Sequence, residues 1–122
     1  MVIGSYRIGH HPVQVVLREG DGGEFYFEPE LGKIARIKIG CDCEWLELIS
    51  VIFHESMEFW LTDKGKRYVP SQDHSSAHDT YMFMFSHPDL SIMAHDIGCF
   101  LAESTTSIAD AYKKWHKPTK KR

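Results

Sequence analysis

Lys33-Ile34-Ala35-Arg36-Ile37-Lys38-Ile39-Gly40-Cys41-Asp42-Cys43-Glu44-Trp45-Leu46-Glu47-Leu48-Ile49-Ser50-Val51-Ile52-Phe53-His54-Glu55-Ser56-Met57-Glu58-Phe59-Trp60-Leu61 changes its hydrophobic period once, at Asp42. Before that point Ile34, Arg36 and Lys38 take one parity and Lys33, Ala35, Ile37 and Ile39 the other. Near-alternation of this kind predicts a strand in a sheet with one wet face. After it, residues 44–61 hold no Gly or Pro and are long enough for about five helical turns. Asp42 is the expected cap, Glu44 and Glu47 sit at the positive helix end, and Thr62-Asp63-Lys64-Gly65 stops the helix at a glycine.

Working outward, residues 2–8, 13–18 and 24–28 also read as strands, separated by Gly9-His10-His11-Pro12 and by Glu19-Gly20-Asp21-Gly22-Gly23. Downstream, residues 76–86 read as a second helix stopped by His87-Pro88. A third is expected from Asp89 to about Glu103 and a last from Ser104 or Ser107 through Trp115. The expected fold class is α+β: a small N-terminal antiparallel sheet of three or four strands, a buried motif helix and about three further helices. One domain over residues 1–112 and a basic tail over 113–122 is the expected division.

Composition narrows the classes. The chain has 122 residues, 43% hydrophobic and 25% charged, which fits a globular domain with its own core. The longest strongly apolar stretch, 45–53, is far short of the ~20 residues that span a bilayer. The first residues lack a signal-peptide layout, so a soluble cytoplasmic protein with no membrane partner is expected. Residues 1–112 carry 8 basic against 17 acidic side chains, while the last ten positions hold Lys113, Lys114, Lys117, Lys120, Lys121 and Arg122. That tail reads as a solvated helix end, or as a contact for nucleic-acid phosphate or for the acidic body. Trp115, at helical spacing with Ile108, Ala111 and Tyr112, is expected to dock on the body. Three cysteines (Cys41, Cys43 and Cys99) are too few and too closely spaced for a disulfide framework or a zinc ribbon. Residues 81–85, five bulky side chains in a row, read as core packing of the second helix.

The chemistry gathers on one stripe of the long helix. At 100° per residue, Glu47, His54 and Glu58 fall within about 40° of one another. His54 and Glu58, one turn apart, can both ligate one divalent metal ion, and Glu55 is expected beside them, about a quarter turn round. A carboxylate buried alone costs several kcal/mol, and a metal offsets that cost. A third ligand must come from elsewhere: His78 at the head of the next helix, or His74, with Asp79 or Asp73 holding the imidazole and Glu47 in support. Three such ligands leave zinc a position for water, and Glu55 would be the general base. The same donor types also suit non-haem iron, but in barrels with more strands than this chain has.

His54-Glu55-Ser56-Met57-Glu58 resembles the zincin motif His-Glu-x-x-His with Glu in place of the second His. Phe25-x-Phe27-x-Pro29-Glu30 and Ile34-x-x-Ile37-x-Ile39 ahead of it are similar to the short sheet of small phage and prophage zincin-like proteins. The resemblance covers residues 24–80. It implies a minimal zincin-like fold and a zinc-dependent, metallopeptidase-like hydrolase. The competing classes are a non-enzymatic protein-binding module and a nucleic-acid accessory protein acting through the tail.

Overall fold

The computed structural model describes residues 1–27, 34–68 and 81–117. Four strands form one sheet: β1 (Val2–Ile8), β2 (His11–Arg18), β3 (Gly23–Tyr26) and β4 (Ala35–Gly40), in the order β1-β2-β4-β3. The four strands stand within about two residues of the expected runs. β1 turns tightly into β2 through Gly9 and His10, with Gly9 at φ +64°. Half-buried His11 lies edge-on to the rings of Phe27 and Phe59, rather than out in solvent.

The sheet is mixed, which corrects the antiparallel expectation. β2 pairs parallel with β4, Val13 opposite Ala35 and Leu17 opposite Ile39, while β1–β2 and β3–β4 are antiparallel. Strand alternation decides which face is buried and leaves pairing direction open. Val13, Val15 and Leu17 join Ala35, Ile37 and Ile39 on one buried face, and these side chains belong to a single core with the helices.

The helix count is corrected too: the described residues hold two helices, α1 (Trp45–Asp63) and α2 (His87–His116). The minimal zincin-like layout, with about three helices after the motif helix, is therefore not the fold. The expected third and fourth helices are one helix of 30 residues. Residues 104–107 read as a break because hydroxyl side chains compete for the backbone. Here the Ser104 and Thr105 hydroxyls instead donate to the carbonyls of Phe100 and Leu101 one turn earlier. The buried stripe Met93, Ile97, Phe100, Ser104, Ile108 and Ala111 runs through without interruption. Ser86, not Asp89, is the N-cap: its hydroxyl accepts from Asp89 N–H, and the Asp89 carboxylate accepts from Ser86 N–H.

Residues 81–86 are extended rather than helical. β6 (Met82–Phe83) pairs antiparallel with β5 (Arg67–Tyr68), and Met84 N–H donates to Lys66 C=O. Residues 76–80, the start of that expected helix, lie outside the described residues. The run is not core either, because Met82, Met84 and Phe85 are exposed.

α1 has the expected span but is buried on one side only. Leu48, Ile52, Ser56, Phe59 and Trp60 are buried, the Trp60 indole N–H donating to Asp96 of α2 at 2.8 Å, while Leu46 is 76% and Phe53 47% exposed. Its N-cap is Glu44, without a side-chain bond. Asp42 instead accepts from Gly20 N–H at 2.6 Å and Trp115 Nε1–H at 2.9 Å, and these bonds hold its carboxyl below the usual range. Trp115 docks on the body in this way. Tyr112 O–H donates to Cys43 C=O, and His116 Nε2 bonds Cys41 C=O.

The end of β4 is clasped by the loop after β2. Cys41 N–H donates to Arg18 C=O, Asp42 N–H to Gly20 C=O and Gly40 N–H to Gly22 C=O. A Cβ at Gly40 would stand 2.4 Å from Gly20 O and 2.5 Å from Asp21 Cα. Both obstacles are backbone and cannot swing aside. Gly40→Ala is expected to destabilise by about 1–3 kcal/mol, a fall of roughly 5–15 °C in Tm by circular dichroism.

Candidate functional site

Helical geometry brings the expected motif together. His54 Nε2 and Glu58 Oε2 are in direct contact across one turn of α1, with the His54 side chain 63% exposed and that of Glu58 15%. The second Glu58 oxygen, Oε1, accepts from Tyr81 O–H at 2.8 Å. Arg67 lies over the Tyr81 ring, 4.0 Å from its centroid, and Phe83 meets that ring edge-on. The hydrogen bond to Glu58, and then burial, push the Tyr81 phenol above its ordinary pKa. The small β5–β6 hairpin thus clamps Glu58 from outside α1.

Tyr81 was missed in the sequence because residues 81–85 read as helix. Tyr81 and Phe83 share one parity, Met82 and Met84 the other. That period-2 signal was available, although Tyr81 also stood beside a helix-like run of large side chains.

Glu55 points about a quarter turn round α1 from His54, towards β3. It is only 8% exposed, and its Cγ would be 3.1 Å from a Cβ at Gly23. The same Cβ would stand 2.7 Å from Val51 Cγ1, so only glycine lets β3 approach α1 so closely. Gly22, Gly23, Glu47, Ser50, Val51, His54 and Glu55 line an open cleft of about 380 Å³. Among the described residues no hydrogen-bond donor reaches the Glu55 carboxylate. Burial raises its pKa above the ordinary carboxylate range; the charges of Glu58 and Glu24 add to this and His54 opposes it.

The other expected site residues are placed less completely. Glu47 lines the cleft with Glu55 and His54. His78, His74, Asp79 and Asp73 lie outside the described residues, as do Lys120, Lys121 and Arg122. Among the described residues no three His, Cys, Asp or Glu side chains converge on one point. Lys113 and Lys114 belong to the last turn of α2, and Lys117 is its C-cap. The three cysteines are unpaired. No helix of the described residues is long and apolar enough to cross a membrane.

The chain matches no protein-family model, no curated protein and no solved structure.

The Glu55 side chain supplies a check by pH. Its raised pKa means the folded state binds this proton more tightly than the unfolded chain. The resulting stability is present below the unfolded pKa of ~4.3 and is lost as pH rises through the folded value. Glu55→Gln keeps the shape without the charge. It is expected to raise the urea midpoint above wild type at pH 7 and to give no gain near pH 3.5.

Proposed function

We propose that this protein is a metal-dependent hydrolase acting on peptide bonds, its zinc held by His54, Glu58 and a third side chain from residues 69–80. His78 is the first choice for that third ligand and His74 the second. The observation that carries the reading is the division of labour along α1. His54 and Glu58 meet on one side, with Glu58 held by Tyr81, while Glu55, largely buried and with no hydrogen-bond donor among the described residues, lines the adjoining cleft. The donor set fits zinc: one imidazole nitrogen and one carboxylate oxygen, the carboxylate already oriented by an outer hydrogen bond. Zinc bound there would supply Lewis acidity, polarising a carbonyl and making water acidic near neutral pH.

The chain's own residues do the rest. Glu55, with its pKa raised by burial, is suited to take a proton from water and return it to a leaving amine. Among the described residues β3 pairs on one side only, with β4, and Gly22 and Gly23 at its start border the cleft. An extended peptide can add to that open edge through main-chain hydrogen bonds, which brings its backbone past Glu55. Glu58 as a ligand leaves the metal less electrophilic than a histidine would, so slow turnover is expected. Trp115 is engaged by Asp42, so it is not free to stack on bases, and the tail reading of function is the weaker one.

Metal content decides first. Purified protein reconstituted with zinc is expected to hold about one ion per chain by ICP mass spectrometry, and His54→Ala and Glu58→Ala are expected to lose it. Glu55→Gln should keep the metal and lower peptide hydrolysis about 10²–10⁴-fold. A wild-type chain that takes up no zinc would sink this reading. It would leave His54 and Glu58 as a hydrogen-bonded pair in a binding module.

A further inference from the structure

A second group of metal-binding side chains stands on α2 and shares no residue with the His54 and Glu58 site. His95 and Cys99 are one turn apart, at i and i+4, so their side chains lie over the same patch of helix surface. Both residues are exposed, and His95 Nε2 is 3.6 Å from Cys99 Sγ. Among the described residues neither side chain has another hydrogen-bond partner. The pair opens into a groove of about 390 Å³ between α2 and the β1–β2 turn, bordered also by Arg7, His10 and Glu103.

Residue 9 builds this groove. Gly9 has φ +64° in the β1–β2 turn, and a Cβ there would stand 3.0 Å from Asp96 Oδ2. Glycine therefore lets the turn close on α2 and brings His10 to the groove that His95 and Cys99 border. Arg7 Nη1–H donates to His10 C=O at 3.4 Å, across the same turn. Asp96 is committed to the fold, because its Oδ2 accepts from Trp60 Nε1–H at 2.8 Å. Asp96 and Glu103 still set two carboxylates against the one guanidinium of Arg7, which favours a cation in the groove.

Zinc sits ~2.3 Å from a thiolate and ~2.0–2.1 Å from an imidazole nitrogen, so at the tetrahedral angle two such donors are about 3.5–3.6 Å apart. His95 Nε2 and Cys99 Sγ already have that spacing. Thiolate and imidazole are also donors that suit zinc rather than the harder magnesium and calcium ions. We infer that α2 carries a zinc site of its own, with His95 and Cys99 as the two placed ligands, His10 as the third and water at the fourth position. Among the described residues no three donors converge on one point, so the His10 imidazole turns towards the pair when the ion binds. The Cys99 thiol gives its proton to solvent in the same step. With two ligands in place on an exposed helix face the ion exchanges freely. It is therefore read by titration, not by the metal that a chain retains after gel filtration.

The test uses cobalt(II) in place of zinc, because a thiolate–cobalt bond gives a near-ultraviolet charge-transfer band that imidazole and carboxylate ligands do not. The metal-free full chain, kept reduced with a phosphine, is titrated with cobalt, and zinc is then added. Wild type is expected to develop the band and zinc to bleach it. Cys99→Ser is expected to abolish it. Removing a ligand costs at least as much as removing an outer partner of one, so His95→Ala and His10→Ala should each weaken cobalt binding about tenfold or more. Cys43→Ser, His54→Ala and Glu58→Ala should keep the band, which separates this ion from the one proposed on α1. Circular dichroism of each variant is the folding control. No band in wild type, a band that survives Cys99→Ser, or an affinity unchanged in His95→Ala would overturn the inference and leave a thiol–imidazole hydrogen bond. An affinity unchanged in His10→Ala alone would overturn the third ligand.

Discussion

Burial of one sheet face under two helices sets the rest of this structure. Val13, Val15 and Leu17 on β2 and Ile37 and Ile39 on β4 are wholly buried, as are Leu48 and Phe59 of α1 and Phe100 of α2. Each such side chain contributes about 1.5–3 kcal/mol relative to exposure. The contributions are large because β2 and β4 run side by side at the sheet centre, where their inner residues meet helices rather than water. α1 must lie with Leu48, Ile52 and Phe59 downwards, and that choice fixes where every polar residue of the same helix points. His54 and Glu58 come out beside the β5–β6 hairpin, and Glu55 is carried down against β3.

Glu55 is where this packing works against local preference. A carboxylate that close to a strand loses hydration, and its raised pKa records the cost. The approach exists because residue 23 is glycine, with no Cβ to meet Val51. Glu58, two positions nearer the helix end than Ser56, has a different environment. Its two oxygens are engaged by His54 and by Tyr81 O–H. Two carboxylates on one helix are thus held in different states by their surroundings, one oriented and hydrogen-bonded, the other desolvated and open. That difference is what permits separate chemical roles for them.

The far end of the molecule uses the same economy of contacts. The C-terminal turn of α2 is pinned to the junction of β4 and α1 through Trp115 to Asp42, His116 to Cys41 and Tyr112 to Cys43. The loop after β2 reaches that junction from the other side, with Gly20 N–H also on Asp42. One short junction therefore ties together the sheet and both helices.

The amino-acid order determined the elements with strong local signals. A β-branched run marked β2, near-alternation marked β4, the absence of Gly and Pro marked α1, and the one-turn spacing of His54 and Glu58 put them within reach once that helix formed. Pairing direction, helix continuity and the hairpin were decided by tertiary structure. Parallel pairing of β2 with β4 depends on which edges meet, and alternation is blind to that. The hydroxyls of residues 104–107 look like a stop until the buried stripe from Met93 to Ala111 holds the helix through them. Tyr81 joined the site because pairing with β5 made its segment extended, whereas its neighbours in sequence suit a helix equally well. Periodicity reports the face a residue presents; which partner that face meets depends on contacts between residues far apart in the chain.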